Sequence, residues 1–439
     1  MPNSTDPSRG VVITGLGVLT PQAIGSEALA QSLRTGRTGL RQVDPPHAFA
    51  APGNLIGAVW EFTEETAKKE YLKAHRKHIK VMSRDVQLGV ASAMMALEDA
   101  AIASDTLDRE RIGVEFGSNL MFSTPDYLAG PAGKCVDEEH PEFSIKRWAP
   151  RGMPEMEPLW MLKYLPNMPA CHVGIFTDSR GPNNSITCDE VSGGLAMGEA
   201  ASIIRRDSAD VMIVGSIGNR VHQIKAIHAG LWDTLGSDPE HPDQAVKPYD
   251  VRRNGHALSE AGIAMVLEGD AFARGRGARV LGTVLGTGSS CVAGRDGRPD
   301  YRKAVANAMT KAMRQAGLTP ADIGHINGHG FATPLHDAQE ALAIHDVFGQ
   351  HAGKVPVTGL KGYHGSPGAA GGLIETAMSL LALRQGEIPQ TLNTTQPDAS
   401  LGLNVVIGEP IPTDNPVFIK VTFTLIGQAV ATVIRGEPA

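Results

Sequence analysis

Apolar and polar positions along the chain fall into blocks that alternate between two periods. The run "GVVITGLGVL" is apolar and β-branched up to Gly15 and Gly17, which predicts a buried strand entering a close-packed turn. A helix is expected to follow from Ser26. "VQLGVASAMMALEDAAI" is small and apolar on most faces, as a largely buried helix would be, and "RIGVEFGSNL" then reads as another core strand. The stretch "GPNNSITCDEVSGGLAMGEAASIIRRDSADVMIVGS" predicts a strand at "SIT", a sharp turn, a helix from about Val191 to Arg206, and a strand at "DVMIVGS". Such alternation of strands and helices predicts a mostly parallel sheet covered on both faces.

After "AGIAMVLEGDAFARGRGARVLGTVLG" the pattern restarts. "YRKAVANAMTKAMRQAG" puts Val305, Ala308, Met309, Ala312, Met313 and Ala316 on one helical face, and Gly317 stops it. "DIGHINGHG" is the next strand and loop. "GGLIETAMSLLALRQG" repeats the device, with a stripe of Leu373, Ile374, Ala377, Leu380 and Leu381 and an end at Gly386; the final segments, "LNVVIGEP" and "PVFIKVTFTLIGQAVATVIRG", read as strand. Two successive α/β halves are therefore expected, 1–268 and 269–439. Within the first, residues 131–184 form a long irregular insertion rich in Trp, Met and Pro, either a folded lid or interface or an ordinary surface excursion.

Composition narrows the function classes. The 439 residues are 42% hydrophobic and 20% charged, as in an ordinary globular protein. A formal net charge of −7, read together with the absence of a Lys/Arg-rich block or basic-aromatic interleaving, argues against nucleic acid as a partner. "MPNSTDPSRG" lacks the apolar core of a signal peptide and no segment approaches the roughly 20 apolar residues of a membrane span, so a cytoplasmic location is expected. Cys135, Cys171, Cys188 and Cys291 are scattered, which supports neither a disulfide framework nor a zinc site, and no metal or other cofactor is expected. "GLGVLTPQAIG" lacks the spacing of a dinucleotide-binding loop.

Six motifs in order resemble the β-ketoacyl synthase (ketosynthase) family of the thiolase fold. They are "VVITGLGVLTP", "MSRDVQLGVASAMMALEDA", "KPYDVRRNGHALSEAGIAMVLE", "NGHGFATPLHDAQEA", "LKGYHGSPGAAG" and "TLNTTQPD". The resemblance runs over nearly the whole chain and implies two pseudo-repeated α/β halves in a layered α-β-α-β-α architecture, normally assembled as a dimer. In active members a Cys stands at the strand-to-helix turn, where helix N–H groups favour its thiolate and an acyl chain is transferred onto it. The flanking residues match without a gap and put Glu190 at that position. Cys188 falls two positions early, inside the expected strand, where a free Cys is commonly a buried small hydrophobe.

The resemblance assigns the other site residues as well. His329 matches the His that polarises the malonyl thioester carbonyl, with Thr333, Asp337 and Glu340 following in register as supports of the loop. Lys361 matches the family Lys, but the second His aligns with Ser366, whose hydroxyl carries no positive charge; His364 lies two residues before it and would need a loop shift to serve. In the gate segment, which takes in Phe423, Leu425 replaces the family aromatic and only Gly427 of the glycines remains, so a stiffer loop is expected.

Three readings follow. One is a non-condensing partner subunit, similar to the chain-length factors of type II polyketide systems, paired with an active ketosynthase; its retained His329 is unlike those factors. Another is an enzyme of altered chemistry on carrier-bound acyl thioesters, with Glu190 and His329 facing one another as an acid/base pair. The last is a condensing acyltransferase using Cys188. In each case the expected partners are an acyl carrier protein or acyl-CoA thioester and a second subunit, as homodimer or heterodimer.

Overall fold

The computed structural model describes residues 9–43, 51, 54–102, 107–137, 139 and 141–438. Ten strands carry the architecture. The first half contributes β1 (Val11–Thr20), β2 (Ile112–Ser118), β3 (Asn183–Ile186), β4 (Val211–Asn219) and β5 (Leu258–Gly269). The second contributes β6 (Gly282–Cys291), β7 (His325–Asn327), β8 (Pro356–Thr358), β9 (Val417–Phe423) and β10 (Gln428–Gly436). In space the halves run β3-β2-β4-β5-β1 and β8-β7-β9-β10-β6. Each has two parallel pairings followed by two antiparallel ones. The halves join where Val12 and Ile13 pair with Thr283 and Gly282.

The expectation of a mostly parallel sheet is thus corrected to a mixed one. A parallel neighbour needs a crossover of a dozen or more residues. Between β9 and β10 only four residues intervene, so β10 turns back antiparallel.

The helices used below are α1 (Ser26–Thr35), α2 (Arg84–Asp99), α3 (Pro125–Gly133), α4 (Met168–Thr177), α5 (Ser192–Arg205), α6 (Gln223–Trp232), α7 (Tyr301–Ala316), α8 (Pro334–Phe348) and α9 (Gly371–Leu383). Three cores explain the layering. One contains α2, α4 and one face of the first half, including Ile213 and Ile217 of β4. A central core takes the other face of the same strand, Met212 and Val214, together with α1, α5 and α9. The third contains α7, α8, Ile419, Val421 and Phe423, whereas Phe418 faces the central core. Alternate residues of one strand thus enter different cores, as a pleated strand between two helical layers requires.

Two pattern readings change in context. Every residue of α9 is buried, not just a stripe, because it lies in the central layer. The insertion is built from helices: α3, several single helical turns, and α4, which buries Met168, Ala170 and Val173 against the first core. Its outer surface keeps Phe143, Ile145, Met153, Leu159 and Met161 exposed.

The reading of a chain without a basic block also needs correction. Lys68, Lys69, Lys73, Arg76, Lys77 and Lys80 all stand exposed within 68–80. Among the described residues, no helix is long and apolar enough to cross a membrane and no cluster of His, Cys, Asp and Glu could hold a metal ion.

Candidate active site between the two halves

The turn that carries Glu190 follows from small residues and one hydroxyl. β3 ends at Ile186, and a single helical turn, Asp189–Val191, leads into α5. Asp189 adopts a left-handed φ of 49°. Ser192 Oγ accepts from Cys188 N at 2.8 Å and donates to Asp189 O at 2.7 Å, closing the turn locally. Gly193 and Gly194 then let α5 approach the second half: a Cβ would stand 3.0 Å from Ala369 O in one and 2.6 Å from Val430 Cγ1 in the other. The turn therefore rests against α9, β9 and β10.

Cys188 departs from expectation. It lies beyond the strand, is partly exposed, and lines a cavity of about 380 Å³ together with Asp189, Arg220, Lys225, Asp233 and Gln428. The strand ends at Ile186, and Thr187 and Cys188 lie between it and the helical turn Asp189–Val191. In a Cys171→Ser/Cys291→Ser background, iodoacetamide should add one adduct on Cys188 by intact mass while buried Cys135 stays unmodified. An unlabelled chain would place the thiol out of solvent reach.

Glu190 is 2% exposed and its Oε1 accepts from Arg220 Nη2. Arg220 also reaches Asp189 Oδ1 at 3.1 Å and, through Nη1, Asp233 Oδ2 at 3.2 Å. His256 Nε2 lies 3.3 Å from the same Asp233 oxygen. Burial pushes the Glu190 carboxyl up to about 7; Arg220 opposes this, and Asp189 and Asp233 add to it. Burial also works against the charge of Arg220, but its three carboxylates outweigh that and raise its pKa above the ordinary guanidinium value.

His329 belongs to a second network. Its N–H and that of Gly330 donate to Glu340 at 2.6 and 3.0 Å, and Tyr249 Oη donates to Glu340 Oε2 at 2.9 Å. Asp337 accepts from Tyr249 N at 2.9 Å, while Thr333 caps α8 by accepting from His336 N at 3.3 Å. The three supporting residues thus shape the loop that presents the imidazole. The ring packs edge-on against Phe331 at 4.1 Å and beside Phe423 at 4.9 Å between centroids.

Lys361 Nζ lies 3.3 Å from His329 Nδ1 and 2.8 Å from Glu375 Oε1. Lys420 pairs with Glu375 as well, and His364 Nε2 lies 3.4 Å from its Oε1. Burial, reinforced by Lys361 and Lys420, holds the His329 pKa well below the ordinary value. The neutral ring can accept the Lys361 ammonium at Nδ1 and keep its proton at Nε2, a buried atom with no partner. His364 is buried beside Glu375, and its ring nitrogens have no hydrogen-bond partner among the described residues.

Glu190 and His329 do not form a hydrogen-bonded pair. Glu190 Oε2 and His329 Nε2 both lack partners, and each residue is held by its own network. Ser366 is buried and held through its backbone, its N donating to Ala257 O at 2.8 Å. Among the described residues, no hydrogen bond joins it to Glu190 or His329. In the gate segment, Leu425 O accepts from Tyr301 Oη at 2.8 Å. Gly427, at φ 81°, has no room for a side chain, since a Cβ would stand 2.5 Å from Val292 O.

Sequence reasoning missed Glu375, Lys420, Arg220, Asp233 and His256. A signal existed for two of them. Glu375 is a lone carboxylate inside the otherwise apolar "GGLIETAMSLLAL", and Lys420 a lone cation inside "VFIKVTF". Charges in the middle of apolar elements imply buried partners.

Comparison with known proteins gives the family and the fold. The family model for the β-ketoacyl synthase N-terminal domain matches residues 8–273, and that for the C-terminal domain residues 281–395. The 3-oxoacyl-[acyl-carrier-protein] synthase 2 of Coxiella burnetii is 30% identical over 402 residues, covering 91% of this chain and 92% of that protein. The mitochondrial 3-oxoacyl-[acyl-carrier-protein] synthase of Arabidopsis thaliana is 29% identical, with coverage of 89% and 85%. Among solved structures, the ishigamide ketosynthase/chain length factor matches with a TM-score of 0.83 at 23% identity, covering 98% of this chain and 99% of that one. A ketosynthase complex with a type II PKS acyl-carrier protein matches with the same TM-score and coverage at 22% identity.

Proposed function

Because the chain belongs to the β-ketoacyl synthase family, we propose that it is a non-condensing member that serves as partner subunit to an active ketosynthase in fatty-acid- or polyketide-type biosynthesis. The observation that carries this reading is the Glu190–Arg220 ion pair at the turn where condensing relatives place their Cys. Condensation needs a thiolate there to accept the acyl chain. A buried carboxylate tied to a guanidinium is a poor nucleophile. Ser366 supplies no imidazole for the second carbonyl contact, although His329 keeps a neutral ring with Nε2 free.

The surface is compatible with partners. The exposed apolar residues Phe143, Ile145 and Met161 offer a face to a second subunit, and the basic ridge at 68–80 offers one to an acidic carrier protein. The test is reconstitution: the isolated chain should release no β-ketoacyl product from acyl- and malonyl-carrier substrates. Co-expression with an active ketosynthase should give activity that Ile145→Asp abolishes and Glu190→Gln leaves nearly unchanged. Glu190→Cys alone should not restore condensation, since Ser366 and the gate remain altered; turnover of that single variant at rates typical of the family would refute the reading.

A second reading draws on the free Glu190 Oε2 and His329 Nε2, two buried unpartnered atoms whose residues come from opposite halves. A substrate carbonyl or water between them would meet an acid and a base. If the isolated chain transforms a carrier-bound acyl thioester in this way, Glu190→Gln and His329→Ala should each cost about two or more orders of magnitude in rate.

A further inference from the structure

The first half of the sheet ends at β3, which has no further strand beside it among the described residues. Its four residues, Asn-Asn-Ser-Ile, hold no charge and no proline, the usual means of blocking an exposed edge. Asn183 and Ser185 bond to one side, at Ala170 O and Pro166 O, and Asn184 to the other, at Glu115 Oε1 at 3.1 Å. Glu115 stands opposite Asn184 in the register of β2 and β3, is fully buried, and leaves its Oε2 without a partner. On its other flank β4 sets Val214 beside it. From α5, Glu199 adds a like charge and Arg206 opposes it, but that guanidinium is already bonded to Glu199 at 3.0 Å. This carboxylate therefore has one neutral amide and, among the described residues, no ion pair. Burial, reinforced by Glu199, pushes its pKa up to about 7. Apolar surface continues beside the edge: Gly174 of α4 packs under Asn183, and the next residue, Ile175, is 66% exposed.

We propose that β3 receives an edge strand from a different subunit, which brings a Lys or Arg over Asn184 to Glu115, so that the chain selects a basic partner edge over a second copy of itself. The inference rests on the partner-subunit reading above and names the chemistry of that partner. Opposed residues of paired strands share a face, so a long side chain opposite Asn184 lies on the Glu115 side. A second copy offers residues 183–186 with no cation, and it adds another Glu115 to the same seam.

The test uses the full-length chain and, as a partner of known charge, a copy carrying Glu115→Gln and Asn184→Lys. Sedimentation velocity with fluorescently labelled wild type should show the mixed pair forming about 10-fold or more tightly than wild type with itself. Between about pH 6 and pH 8 the mixed pair should tighten, because the cation favours the ionised carboxylate, while wild-type self-association weakens. Glu115→Gln alone should self-associate better than wild type, with circular dichroism confirming that each variant folds. A mixed pair no tighter than the wild-type pair, or one indifferent to pH, overturns the charge selection. No association of any pair up to about 0.1 mM overturns β3 as a docking edge. Either failure is distinct from failure of the partner-subunit reading, which reconstitution with an active ketosynthase decides.

Discussion

Arg220→Ala is expected to destabilise the fold by about 3–5 kcal/mol, the range for removing one partner from a buried ion pair. Glu190, Asp189 and Asp233 would then face one another with their common cation gone. Urea unfolding of the variant measures the loss. A cycle with Glu190→Gln isolates the pair: the double variant should lose less than the sum of the single ones, because the uncharged amide no longer needs the guanidinium. A loss below about 1 kcal/mol for Arg220→Ala would mean that the pair is no more than a surface contact.

Glu190 also sets a pH trend. Burial raises its pKa from the ordinary 4.5 to about 7, so the folded chain holds this proton more tightly than the unfolded chain. Its stabilising contribution is whole below about 4.5 and declines as pH rises towards 7. Glu190→Gln should flatten that slope.

Glu375→Ala is the other large effect expected, again about 3–5 kcal/mol, because Lys361 and Lys420 would be left buried without their shared carboxylate. Here the pH dependence has the opposite sign. Burial alone would raise the Glu375 pKa, but Lys361, Lys420 and His364 outweigh it and hold it well below the ordinary 4.5. The contribution is therefore present above 4.5 and lost as pH falls below it. Acid unfolding followed by circular dichroism should begin at higher pH in the variant. If wild type and variant unfolded alike in acid, Glu375 would not be the anchor of the His329 cluster.

Membership of the β-ketoacyl synthase family is legible in the amino-acid sequence, because six motifs follow one another in the order that the family shows. The layered fold is legible for a related reason: helical and strand periods alternate, break off near Glu268, and begin again. A periodic pattern records which faces are buried. It does not record which direction a neighbouring strand runs, and so the antiparallel pairings of β4 with β5 and of β9 with β10 are visible only in the folded chain.

The site divides along the same line. Sequence alone placed Glu190 at the turn before α5, and His329 and Lys361 within motifs that resemble those of the family. Tertiary structure decided what each of them touches. Arg220, thirty residues after Glu190 in sequence, reaches it because β4 runs parallel to β3, one strand away, and so ends at the same edge of the sheet as the turn. Glu375 and Lys420 meet Lys361 because α9 lies between the sheets, where a charge persists only with partners drawn from distant segments. Cys188 moved from an expected strand interior to a cavity wall because the strand stops at Ile186. Local pattern fixes which residues turn inward, but the pairing of buried charges depends on segments far apart in the chain, and only the folded packing brings those together.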